Sequence, residues 1–257
     1  MKLKDSKTLK KEIEQYLDLL KLSTFKSELD EALTEAISTD LSYELFLLGL
    51  LEKKADRRIE NGKKSRIRLA NFPYHRYLED IEVEELPQDA QEKLGILSTL
   101  KFIEDNRNVI LAGNAGTGKT HITIGLGIKA CMEGYKVLFT TVPVFINKLK
   151  ECRSNRTLRA YQNKFEKYDL VILDELGYIS SDKEGAELLF NNLSLRTGRK
   201  STIVTTNMDF ERWGEIFLDP VMTAAMTDRL THKSYLVDMN GPSYRLKETK
   251  EWLNSIN

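Results

Sequence analysis

The run Gly113-Asn114-Ala115-Gly116-Thr117-Gly118-Lys119-Thr120 places glycines, a lysine and a hydroxyl at the spacing that holds a polyphosphate. Glycines let backbone N–H groups close around phosphate oxygens, and a helix start behind them favours negative charge. Lys119 is expected to reach the β- and γ-phosphates of a nucleotide, and the Thr120 hydroxyl to ligate Mg²⁺. The nucleotide-binding run therefore extends from Gly113 through Thr120 to His121 at the start of the helix. Further along, the apolar Leu170-Val171-Ile172-Leu173 ends in Asp174 and Glu175. A strand that ends in two carboxylates supplies a metal anchor and a base, so Asp174 is expected to hold Mg²⁺ and Glu175 to activate a water. Thr202-Ile203-Val204-Thr205-Thr206 reads as another strand, with Asn207 at its end placed to orient that water or simply to form the turn before Asp209.

The surrounding elements must bring these residues together. Val109-Ile110-Leu111-Ala112 reads as a buried strand directly before the glycine-rich run, and His121 to Glu133 as a helix broken by Gly134. Strands are expected at 108–112, 136–141, 170–174, 201–206 and 234–239, with helices between them. That alternation predicts an α/β fold, a P-loop NTPase core whose parallel sheet carries helices on both faces. Gly125-Leu126-Gly127 sits inside the first of these helices, where it suits close packing on the sheet better than nucleotide contact.

Before residue 70 the pattern is helical only. Apolar residues recur at spacings of three and four through Leu9, Ile13, Leu17 and Leu20, then Leu29, Leu33 and Ile37, and a third helix is expected to end near Asn61-Gly62. Pro73 disfavours helix at Phe72, so the division falls near residue 70. The expectation is a small all-helical N-terminal domain, 1–69, and an ATPase domain, 70–257, without an evident C-terminal lid.

Composition limits the partners. The 257 residues are 41% hydrophobic and 30% charged with zero formal net charge, so no global field attracts nucleic acid. Charge is instead segregated. The 52–68 run is basic through residues that include Lys63, Lys64, Arg66 and Arg68, whereas 79–92 is acidic without a basic residue. Between 143 and 167, Lys148, Lys150, Arg153, Arg156 and Arg159 are interleaved with Tyr161 and Phe165. Both basic stretches could follow a DNA phosphate backbone, or could be solvated helix faces. Cys131 and Cys152, with His75, His121 and His232, lack zinc-ligand spacing, and no disulfide framework is implied. Without an apolar leader or a membrane-length apolar stretch, the expected place is the cytoplasm, with no membrane partner.

With these motifs in order, the chain resembles the IstB/DnaC-like branch of the AAA+ ATPases along essentially its whole length. The most specific stretches are Leu173-Asp174-Glu175-Leu176-Gly177-Tyr178, Thr205-Thr206-Asn207 with Trp213-Gly214-Glu215-Ile216-Phe217, and Thr227-Asp228-Arg229-Leu230-Thr231-His232. The resemblance implies an ATP-dependent, DNA-binding helper of an integrase-like transposase that forms homo-oligomers with nucleotide bound. It gives Asn207 the sensor I position and Arg229 the arginine finger, reaching a neighbour's γ-phosphate, with Arg196 as a second candidate for that role. Tyr77 to Ile81 resembles the segment that packs near adenine, which brings in Leu78 and Ile81. A sensor II arginine finds no match, Arg245 and Lys247 included. A DnaC-type helicase loader and an ATP-switched DNA scaffold with negligible turnover are the alternatives.

Overall fold

The computed structural model describes residues 5–177 and 182–256. Tyr178, the end of one family-like stretch, lies outside the described residues. The chain divides into two compact units, Met1–Lys64 and Ser65–Asn257.

In the first unit, α1 (Ser6–Leu19), α2 (Ser23–Thr39) and the greater part of α3 (Tyr43–Leu69) enclose a small core of Leu17, Leu29, Ala32 and Leu50. Asp5 starts α1 by accepting the Thr8 N–H, the expected N-cap bond. Leu9 and Ile37, two of the residues whose spacing marks these helices, are exposed. The third helix does not stop at Asn61-Gly62 but continues to Leu69. A single glycine costs only about 1 kcal/mol in a helix, and Ile67 beyond it packs on the core of the second unit. The division at Lys64/Ser65 therefore falls inside a continuous helix, ahead of the expected boundary near residue 70.

The second unit is a five-stranded, all-parallel sheet. Its strands are β1 (Val109–Ala112), β2 (Val137–Thr141), β3 (Leu170–Leu176), β4 (Ser201–Thr206) and β5 (Tyr235–Asp238), in the order β2-β3-β4-β1-β5. These match the expected strands closely, except that β3 runs two residues further. Alternation divides each strand between two cores. Val109, Leu111, Leu170, Ile172 and Ile203 join one, and Ile110, Val171, Leu173 and Val204 the other.

The first core is covered by α4 (Gln88–Ser98), α5 (Lys101–Glu104) and α6 (Lys119–Met132). The second is covered by α7 (Val142–Ser154), α8 (Leu158–Phe165), α9 (Lys183–Ser194), α10 (Gly214–Phe217) and α11 (Pro220–Thr231). A final helix, α12 (Tyr244–Ile256), follows β5. Because β1 lies between β4 and β5 while the chain leaves it for the distant β2, a crevice opens at the carboxyl ends of β1, β3 and β4.

The glycines inside α6 hold that helix against its neighbours. A Cβ at Gly127 would lie 2.7 Å from the Phe72 ring and 2.8 Å from Ile172, and one at Gly125 would lie 2.7 Å from Leu78. Gly127→Ala is expected to destabilise the protein by about 1–3 kcal/mol through overpacking, even though alanine is the better helix former. Chemical denaturation measures it, and unchanged or raised stability would contradict this packing account.

Candidate nucleotide site

The crevice is a cleft of about 690 Å³ that contains Ala115 to His121, Asp174, Glu175 and Asn207. Gly113 and Asn114 act beneath it rather than lining it. The Gly113 N–H donates to Thr206 O at 3.1 Å, and Asn114 Nδ2 to Gly241 O at 3.3 Å, so the loop is tied to β4 and to the segment that follows β5. Thr117 is buried and bonds back to Asn114 O at 2.9 Å. Gly116 has φ +83°, and a Cβ there would meet Ser243 Oγ at 2.2 Å. The Tyr244 N–H donates to Gly116 O at 3.0 Å, so the start of α12 rests directly on the phosphate-binding loop.

The Lys119 ammonium donates to Gly113 O at 2.6 Å and to Asn114 O, which poises it over the loop. Burial lowers its pKa, Asp174 opposes that shift, and the nearby Arg245 adds to it. Asp174 is only 4% exposed, and Thr120 Oγ1 donates to its two carboxylate oxygens at 3.2 and 3.0 Å. Thr205 Oγ1 also donates to Asp174 Oδ1, while accepting the Glu175 N–H at 2.9 Å. One hydroxyl thus joins β4 to both carboxylate residues of β3.

Mg²⁺ fits this arrangement. The donors that converge are oxygens, the buried carboxylate and the Thr120 hydroxyl, as a hard cation prefers. Among the described residues no group of three His, Cys, Asp or Glu could hold a metal without help. An ion here would complete its shell with phosphate oxygens and water, the habit of Mg²⁺.

The pairing of β3 with β4 shifts register between Leu173 and Leu176. Glu175 occupies that irregularity with φ +64° and is exposed in the cleft. A left-handed conformation for a non-glycine residue costs roughly 1–2 kcal/mol, and bulges of this sort re-aim a side chain. Asn207 also lines the cleft, in the bend that follows β4, and the cap of the next 3₁₀ turn falls on Asp209 rather than on Asn207.

The adenine-side expectations divide. Ile81 lines the cleft, whereas Leu78 packs on α6 at Gly125 and does not. The reason is the 3₁₀ turn over Leu78–Asp80, which turns these residues to different sides. His121 is half-buried with Nε2 enclosed and unpartnered, and burial, then the charge of Arg76, holds its pKa below the ordinary histidine value. Tyr74, Arg76, Tyr244, Arg245 and Glu248 line the cleft too, and the sequence reading assigned none of them a role. Tyr74 and Arg76 lie just ahead of the 77–81 segment and the other three on α12, and no motif in the sequence marks them.

Arg229 does not line the cleft. Its Nη1 donates to Ser194 Oγ at 2.6 Å, and its guanidinium lies 5.1 Å from the Phe190 ring centroid, on the α9–α11 side of the unit. The second finger candidate is corrected outright. Arg196 is 1% exposed and donates to Phe165 O, Tyr168 O and Ser201 O at 3.0, 3.0 and 2.8 Å. Burial brings its pKa down to about 10. It is an internal strut that no neighbouring molecule can reach.

The basic stretches are also more paired than their composition suggests. On α7, Lys148 pairs with Glu151 at 2.8 Å, Lys150 with Asp182 at 2.7 Å and Arg153 with Glu184 at 3.4 Å. Arg156 and Arg159 are exposed and have no carboxylate partner among the described residues. Tyr161 and Phe165 are not interleaved surface aromatics, because they stack on each other, Phe165 stacks on Phe145, and all three pack on the second core. Lys63 pairs with Glu60 at 2.7 Å, Arg66 donates to Cys131 O at 2.7 Å, and Lys64 and Arg68 are exposed.

Comparison with known proteins follows the same lines. Residues 15–252 match the family described as IstB-like ATP binding protein. The chain is 35% identical to an insertion sequence IS21 ATP-binding protein of Pseudomonas aeruginosa, over 93% of this chain and 91% of that one. It is 31% identical to an insertion sequence IS232 ATP-binding protein of Bacillus thuringiensis, over 90% of this chain and 93% of that one. Its fold is similar to that of AMPPCP-bound DnaA from Aquifex aeolicus, with a TM-score of 0.56, 21% identity, and coverage of 71% of this chain and 56% of that one. The AAA+ P-loop fold is thereby shown.

The strained backbone at Glu175 yields a test. Glu175→Gly removes the left-handed penalty at the cost of glycine's extra chain entropy, and is expected to stabilise the fold by about 0.5–1 kcal/mol while abolishing ATP turnover. Denaturation and phosphate release measure the two effects, and a destabilised variant would show that Glu175 is not strained.

Proposed function

The chain belongs to the IstB-like ATP-binding protein family, and from that premise we propose that it is a Mg²⁺-dependent ATPase that assembles on duplex DNA and assists a transposase. The observation that carries the reading is the junction of Thr120, Asp174, Glu175 and Thr205 beside a lysine-bearing phosphate loop. Both relatives described above bear insertion-sequence names, which favours an integrase-like transposase over a replicative helicase as partner. No described helix is long and apolar enough to cross a membrane.

In this reading each side chain has one task. Backbone N–H groups of 115–120 and the Lys119 ammonium hold the phosphates, Thr120 and Asp174 hold Mg²⁺, and Ile81 borders the base. The bound ion supplies positive charge against the phosphate oxygens. Glu175 orients a water and takes its proton as the water's oxygen attacks the γ-phosphorus and the bridging P–O bond to the β-phosphate breaks, releasing ADP and phosphate, and Asn207 fixes that water from the neighbouring strand. Glu175 is exposed, and among the described residues nothing hydrogen-bonds its carboxylate, which leaves the group free to do this.

Negative charge that develops on the phosphoryl group needs a second cation. Arg229 lies outside its own cleft but on the surface of the same unit, which suits delivery into the cleft of a neighbouring subunit. An arginine supplied in this way is worth roughly 10³–10⁵ in rate. ATP would then promote a homo-oligomer, because the nucleotide lies between two chains.

The test separates binding, chemistry and assembly. Lys119→Ala is expected to lose ATP binding. Glu175→Gln is expected to bind ATP with Mg²⁺ but to turn over about 10²–10⁴-fold more slowly, the range for a lost general base. Arg229→Ala is expected to bind ATP and lose DNA-stimulated hydrolysis. Mixed with Glu175→Gln, it should regain part of that activity, since its intact cleft can receive Arg229 from the neighbour. Co-assembled mixtures that show no rescue would remove Arg229 from the shared site.

A further inference from the structure

A groove of about 860 Å³ opens in the helical unit between the start of α2 and the middle of α3. Lys21, Lys54, Arg57 and Arg58 line it, and no carboxylate does. Among the described residues none of these four cations has a carboxylate partner, although the adjacent Lys53 pairs with Glu28 at 3.5 Å. The concentration is local, since the chain as a whole is neutral. Lys54, Arg57 and Arg58 stand three and four residues apart on α3 and so share one face.

The opposite wall of the groove is the first turn of α2. Leu22 at its N-cap supplies no side-chain hydrogen bond, and the turn contains no acidic residue. Its N–H groups and the positive end of its dipole therefore add to the four side-chain charges. The Arg57 guanidinium lies 3.4 Å from Ser27 Oγ, bridging the two walls. No aromatic side chain lines the groove, so a base would find nothing to stack on. The space greatly exceeds one phosphate, and the cations are distributed along it.

We propose that this groove seats the phosphodiester backbone of duplex DNA, through Lys21, Lys54, Arg57, Arg58 and the N-terminus of α2. The proposal rests on the DNA-binding part of the function given above and moves its principal contacts. They lie on the helical unit rather than on α7, where Lys148, Lys150 and Arg153 already have acidic partners. Contacts of this sort position the protein without reading sequence.

Fluorescence anisotropy of the full-length protein with ATP, on a labelled duplex titrated across salt, tests it. Two variants are compared with the wild type. Lys54, Arg57 and Arg58 are together changed to Glu in one, and the other is Ser23→Asp. The triple variant is expected to bind about tenfold or more weakly near 0.1 M salt, with a log–log salt slope flatter by about two to three units. Ser23→Asp should weaken binding as well while keeping or raising Tm, because a first-turn carboxylate suits the helix dipole. That split separates lost phosphate contact from lost folding. If the wild type binds duplex firmly and both variants match its affinity and slope, this groove is not the site, whereas the DNA-binding reading stands. If the wild type itself fails to bind duplex with ATP present, both fall.

Discussion

A carboxylate as buried as Asp174 has to be compensated by its immediate neighbours, because desolvation of such a charge costs several kcal/mol. Its compensation comes from two threonine hydroxyls, Thr120 at the start of α6 and Thr205 on β4. Hydrogen bonds to an ionised group contribute roughly 1.5–3 kcal/mol each, so this one side chain joins the phosphate loop, β3 and β4. The expected Mg²⁺ site, the orientation of Glu175 and the seat of Asn207 all hang from that junction. Thr205 has the larger share. It satisfies the Asp174 oxygen and the Glu175 N–H with a single hydroxyl, so the bulge and the buried carboxylate are set together.

The rest of the unit supports the junction from outside. Glycine-permitted contact between α6 and the 70–81 segment brings Ile81 to the cleft, and Ser243 and Tyr244 set α12 against Gly116. Arg196 performs an equivalent task at the other end of the sheet, where it satisfies the carbonyls that lead into β3 and β4. Its burial removes it as a candidate for reaching a neighbouring molecule. Arg245 reaches the cleft from α12, close enough for its charge to lower the pKa of Lys119.

Much of the core was legible because its signals are local. Continuous apolar runs mark fully buried parallel strands, so the strand positions agree with the structure, and the glycine-rich loop between β1 and α6 lies at the cleft. The carboxylates were legible because they follow an apolar strand directly. The bulge at Glu175 was not, since a register shift belongs to two strands and has no composition of its own. Thr205 reads from sequence as an ordinary β-former, and its place beside the two carboxylate residues exists only through β3–β4 pairing. Arg76, Tyr244 and Arg245 carried no motif, and the pairing of Lys150 with Asp182 joins residues of two different helix ends. The continuation of α3 past Gly62 depended on Ile67 finding a core, which helix propensity alone does not reveal.

The central claim is that the Thr205 hydroxyl holds the metal anchor and the base together. Thr205→Val keeps the shape and removes the hydroxyl, which leaves Asp174 Oδ1 with Thr120 as its remaining donor and the Glu175 N–H without its acceptor, a loss of about 1–3 kcal/mol for the orphaned N–H. Thr205→Ser retains the bonds. The decisive measurement is ATP turnover titrated with Mg²⁺ for both variants against the wild type. The account predicts that Thr205→Val needs more Mg²⁺ and turns over about tenfold or more slowly, while Thr205→Ser stays close to wild type. Wild-type turnover and Mg²⁺ dependence in a folded Thr205→Val protein would contradict it.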